Sequence, residues 1–142
     1  MKISVLLVDD EKDFIESLAE RLEIRDFEVA SATSGEEALK LIEKIDFDVI
    51  VLDVQMPGMD GIDALKKIKK LKQLPQVLML TGHATVETAI EGMKIGAYDY
   101  LMKPTETQDL IDKITKAYQL VAEQKERIRQ AEIDKIVKTR GW

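Results

Sequence analysis

The chain has 142 residues, 45% of them hydrophobic and 34% charged, which suits one globular domain with a substantial core. Its formal net charge of −6 argues against nonspecific binding to nucleic acid, which needs a basic excess. Cysteine is absent and histidine occurs once, so disulfides, thiolate catalysis, zinc–cysteine sites and multi-histidine metal centres are excluded.

Residues 3–8 form a short, almost unbroken apolar run, the pattern of a strand covered on both faces. Phe14, Ile15, Leu18, Ala19 and Leu22 then recur at helical spacing and make one apolar stripe. Residues 27–33 mix polar and apolar positions, as an edge strand would. Ser34 follows as an N-cap, with Glu37 completing a capping box ahead of Ala38, Leu39 and Ile42. Residues 49–52 are a second buried-strand run, and Asp60 opens a helix marked by Ile62, Leu65, Ile68 and Leu71. Residues 77–80 repeat the buried-strand pattern before a helix marked by Ala89, Ile90 and Met93. Residues 98–102 are mixed again. After Pro104 a last helix starts near Thr105, with Leu110, Ile111, Ile114, Ala117, Tyr118 and Val121 on its apolar side.

Five strand–helix pairs imply an α/β fold, a doubly wound parallel sheet with right-handed crossovers and helices on both faces. The three most apolar strands belong in the centre and the two mixed ones at the edges, which fits the order 2-1-3-4-5 of flavodoxin-like (βα)5 folds. Past residue 121 the composition changes. Residues 122–142 carry six Lys/Arg against four Asp/Glu and have no helix breaker before Gly141. They are expected to prolong the fifth helix to roughly 50 Å at 1.5 Å per residue. The expected division is therefore a domain over 1–121 and a helical extension over 122–142.

Asp9 and Asp10 follow the first run, Asp53 the third, Thr81 the fourth and Lys103 the fifth. Taken singly, each has an ordinary reading: helix-capping carboxylates, a turn aspartate, a turn threonine and a surface lysine. Parallel strands, however, bring all five to one sheet edge, where open α/β sheets bind ligands. Three adjacent carboxylates repel one another, and a bound Mg²⁺ relieves that repulsion while leaving positions for phosphate oxygens. A lysine at the rim adds a further cation. Such a set suits phosphoryl transfer, with one carboxylate as nucleophile.

Four stretches now carry a family resemblance: Leu6-Leu7-Val8-Asp9-Asp10-Glu11, Asp53-Val54-Gln55-Met56-Pro57-Gly58-Met59-Asp60-Gly61, Leu80-Thr81-Gly82-His83-Ala84, and Gly96-Ala97-Tyr98-Asp99-Tyr100-Leu101-Met102-Lys103-Pro104. Over residues 1 to about 121 the chain resembles a bacterial two-component response-regulator receiver domain, of the stand-alone or nitrogen-regulator-like kind. The resemblance implies that Asp53 accepts a phosphoryl group from a sensor histidine kinase or a histidine phosphotransfer protein. It implies Mg²⁺ held by Asp10, Asp9, Asp53 and the backbone carbonyl of Gln55. It makes Lys103 and Thr81 partners of the phosphoryl oxygens, and the Lys103–Pro104 peptide cis. Thr81 and Tyr100 become switch residues, with Tyr100 turning inward behind Thr81. Gln55 and His83 become residues that tune hydrolysis.

Two rivals share this chemistry or this fold. An aspartate-nucleophile hydrolase needs a second acid two residues after the nucleophile, where Gln55 stands. A flavin carrier needs hydroxyl- and glycine-rich phosphate loops, whereas the loop after Val8 is acidic. The expectation is a signalling phosphoacceptor rather than an enzyme, acting on a partner and not on nucleic acid. Within these residues no helix-turn-helix is expected; a receiver cut from a larger transcriptional regulator or hybrid kinase is the alternative. The tail heptad is weak, since Lys135 breaks the seam and Gln124 takes a partner position. A homodimer through the fourth helix–fifth strand–fifth helix face, or through the C-terminal helix, is a further expectation. The short apolar start lacks a signal-peptide cleavage site and no run could span a bilayer, so a cytoplasmic location without membrane contact is expected.

Overall fold

A computed structural model describes residues 2–56, 58–82 and 86–140. Strands and helices alternate as β1 (Ser4–Val8), α1 (Lys12–Ile24), β2 (Glu28–Ala32), α2 (Gly35–Lys44), β3 (Val49–Leu52), α3 (Gly61–Leu71), β4 (Gln76–Thr81), α4 (Val86–Ile95), β5 (Asp99–Met102) and α5 (Thr107–Arg140). The five strands are parallel in the order β2-β1-β3-β4-β5, the flavodoxin-like arrangement. The mixed strands β2 and β5 lie at the edges, because only the inner three have both faces covered.

Side-chain alternation along the central strands splits the core in two. Leu6, Val8, Ile50, Leu52, Val77 and Met79 face α2 and α3. Val5, Leu7, Val49, Val51, Leu78 and Leu80 face α1 and α5, meeting Ile15, Leu18, Leu22, Leu110, Ile114 and Ala117. The expected caps are present: Ser34 Oγ accepts from Glu37 N at 3.1 Å, and Asp60 Oδ1 from Asp63 N at 2.9 Å. At α1 the N-cap position falls to Glu11, whose side chain makes no capping bond.

The fourth helix departs from its expected stripe. Ile90 and Met93 are exposed, and Ala89 and Gly92 form the buried face. A β-carbon on Gly92 would sit 2.4 Å from Met79 Cε, so any larger residue there would oblige the end of the Met79 side chain to move. α5 is unbroken through position 121 and runs 34 residues, about 51 Å at 1.5 Å per residue. Between 123 and 136 its side chains are exposed, as expected of a helix that outruns the sheet.

Candidate functional site

The site forms where β1, β3, β4 and β5 end together. The backbone ladder continues one residue beyond β1 and β3: Asp9 N donates to Ala32 O and Asp53 N to Val8 O. The β4–β5 register sets Thr81 opposite Met102, and Lys103 N donates to Thr81 O at 2.9 Å. Strand pairing thus brings residues 9, 53, 81 and 103 to one edge. Thr81 itself is the last residue of β4 and fully buried, not a turn residue.

Asp9, Asp10 and Asp53 offer carboxylate oxygens that all lie within 4.8 Å of one another. Asp9 and Asp53 are buried, whereas Asp10 is exposed. Lys103 Nζ lies 2.5 Å from Asp9 Oδ2, 3.5 Å from Glu11 Oε1 and 4.0 Å from Asp53 Oδ2. Asp9 Oδ1 accepts from Glu11 N at 3.0 Å, and Asp53 Oδ1 from Gln55 N at 3.2 Å. The Thr81 hydroxyl is also hydrogen-bonded to Asp53. Asp9, Asp53, Thr81 and Lys103 are each oriented by the backbone or by a neighbour.

Burial raises the pKa of Asp53 above the usual carboxylate range, and the charge of Asp9 adds to that rise. Bonds from Thr81 and Gln55 and the charge of Lys103 pull the other way without cancelling it. For Lys103, burial opposes the charged form, but Asp9, Asp53 and Glu11 together raise its pKa. The outcome is a buried carboxylate beside a firmly charged ammonium. An oxygen-only set of this kind matches a hard divalent cation.

Gly61 supports Asp53 from behind. Its N–H donates to Val54 O at 2.7 Å, and a β-carbon there would lie 2.3 Å from Asp53 O. The Lys103–Pro104 bond is cis, as expected. Tyr100 is on β5, partly exposed, and lines a surface hollow with Val86, Ile90 and Met93. Gln55 is exposed beside Asp53; His83 lies outside the described residues. Phe14 was legible only as part of a core stripe. Its ring centroid lies 4.2 Å from Lys103 Nζ. A contact spanning from residue 14 to residue 103 has no local signal in the chain.

The family model described as a response regulator receiver domain matches residues 5–115. Regulatory protein AtoC of Escherichia coli is 38% identical over 122 residues, covering 86% of this chain and 26% of that protein. The chain thus spans about a quarter of that relative's length. A CheY-like receiver domain protein from Methanospirillum hungatei superposes with a TM-score of 0.84 at 31% identity, covering 87% of this chain and 99% of that one. A response regulator from Burkholderia pseudomallei, solved with a phosphorylated aspartic acid, a calcium ion and citrate, has a TM-score of 0.77 at 27% identity and covers 99% of this chain and 86% of that one. Its domain match and its clustered strand-end side chains agree, and the chain belongs to the response regulator receiver domain family.

Proposed function

We propose that Asp53 is the phosphoacceptor of a two-component relay, taking its phosphoryl group from a phosphohistidine on a sensor histidine kinase or a histidine phosphotransfer protein. The observation that carries this reading is the convergence of Asp9, Asp10 and Asp53 with Lys103 at one sheet edge. An Asp53 carboxylate oxygen attacks phosphorus, the new O–P bond forms as the P–N bond breaks, and the imidazole leaves with the bonding pair. Lys103 and the Thr81 hydroxyl then hold phosphoryl oxygens. Asp9, Asp10, Asp53 and the Gln55 carbonyl would hold Mg²⁺, which when bound offsets the charge of carboxylates and phosphoryl group alike. The acyl phosphate is later lost to water, with Gln55 and His83 setting the pace. On this reading phosphorylation and its reversal are the chain's own only chemistry.

Residues 1–121 act as the receiver and 122–142 as a helical C-terminal extension of it. A phosphoryl group on Asp53 draws Thr81 toward it and turns Tyr100 inward, which alters the α4–β5 surface. Moving that population from about 1% to about 99% needs roughly 5.5 kcal/mol of differential binding. The output is a protein partner in the cytoplasm, with no direct nucleic-acid contact from these residues. Among the described residues no helix is long and apolar enough to cross a membrane. The relative lengths favour a second reading of the output: the same receiver attached to a larger transcriptional regulator.

Incubation with acetyl phosphate and Mg²⁺, followed by intact-mass and peptide mapping, tests the reading. One phosphoryl group on Asp53, labile to acid, alkali and hydroxylamine as an acyl phosphate is, and absent from Asp53→Asn, is expected. Rapid multiple turnover without a trapped intermediate would point to a hydrolase instead.

A further inference from the structure

Lys103 also meets a neighbour that is neither an acid nor a hydrogen-bond acceptor. Its ammonium stands 4.2 Å from the centroid of the Phe14 ring, well inside the range of a cation–π contact. Phe14 is on the first turn of α1, half-buried, and it backs onto the core of α1 and α5. It also lines a small space of about 10 Å³ beneath the site, together with Asp9, Asp53 and Leu80. The ring therefore separates the charged edge of the site from the apolar interior.

We propose that Phe14 is a positioning residue for phosphoryl transfer, holding the Lys103 ammonium within reach of Asp53 by its ring face. The proposal rests on Asp53 being the phosphoacceptor. In the present geometry Lys103 is engaged mainly by Asp9, at 2.5 Å, and stands 4.0 Å from Asp53. To meet an arriving phosphoryl group it must shift from one acidic partner toward the other. A lysine has three N–H donors on a flexible four-carbon stem, so its head group is readily drawn off into water. A ring face attracts the charge without occupying any donor and tolerates lateral movement. It leaves all three N–H groups for oxygen while closing one side of the ammonium to solvent. An aliphatic side chain of equal bulk would fill the space but supply no such attraction.

The test compares Phe14→Leu, Phe14→Met, Phe14→Tyr and Phe14→Trp by the rate of Asp53 phosphorylation at saturating acetyl phosphate and Mg²⁺. Aliphatic replacement is expected to slow phosphorylation about threefold to tenfold, with Tyr and Trp within twofold of the parent protein. Each change is repeated in a Lys103→Met background, where the aliphatic penalty is expected to disappear because the cation is gone. A role in packing alone would leave that penalty in place, and would follow thermal stability instead. Equal rates for the parent protein and Phe14→Leu would overturn the proposal, as would an undiminished penalty in Lys103→Met. Should Phe14→Leu fold poorly, Phe14→Met makes the same comparison. Failure of the parent protein to label Asp53 is a different result: it overturns the phosphoacceptor reading, and this proposal with it.

Discussion

Lys125 donates to Asp48 Oδ1 across 3.2 Å, joining the part of α5 that outruns the sheet to the foot of β3. The other oxygen of Asp48 accepts from Ser4 N at 2.9 Å, so the same carboxylate holds the entry to β1. The helical extension is therefore not tied to the domain through Val121 alone; it has an ionic contact one turn further on.

Removing the lysine and removing the aspartate should differ in cost. Lys125 is more than half exposed, and Lys125→Ala is expected to cost less than about 1 kcal/mol of stability. Its effect should appear instead as faster amide exchange beyond residue 122. Asp48→Ala strands the Ser4 N–H as well and is expected to cost about 1–3 kcal/mol by urea unfolding. Equal losses for the two variants would contradict this division.

Asp53 offers a test by pH. Its folded pKa is raised, first by burial, so the folded state holds the proton more tightly than the unfolded chain does. Above the folded pKa the ionised carboxylate is a net cost to folding. As pH falls through that value the cost fades, and it is gone below the unfolded value of about 3.9. Without metal, Asp53→Asn should therefore melt at a higher temperature than the parent at neutral pH. The gain should shrink toward acid pH, and also on adding Mg²⁺. A variant less stable at neutral pH would refute this.

Gly61 leaves no room for a side chain behind Asp53. With backbone atoms of Asp53 and Val54 at 2.3 and 2.4 Å from an added β-carbon, Gly61→Ala must push the β3–α3 loop aside. A loss of about 1–3 kcal/mol is expected, accompanied by slower phosphorylation. Neither change is expected from Gly82→Ala, whose β-carbon would meet nothing closer than 4.0 Å among the described residues.

The proposed switch has a readout on α4. Val86, Ile90 and Tyr100 expose 76%, 50% and 41% of their surface around one apolar hollow. If activation pairs two copies through this face, beryllofluoride with Mg²⁺ should shift the sedimentation coefficient toward a dimer. Ile90→Asp should keep the protein monomeric without lowering Asp53 phosphorylation. A dimer retained in Ile90→Asp would direct attention to the C-terminal helix.

By itself the sequence determined the order of strands and helices, which strands lie inside the sheet, the caps at Ser34 and Asp60, and the five polar residues at strand ends. These are legible because periodicity and capping are local, and because parallel strands oblige their ends to share one edge. Only the tertiary structure decided which face of α4 is buried, since that turns on the meeting of Gly92 with Met79. It likewise decided that Phe14 backs Lys103 and that Lys125 reaches Asp48. Those contacts join residues far apart in the chain, and a helical stripe records which residues are apolar without recording what they touch.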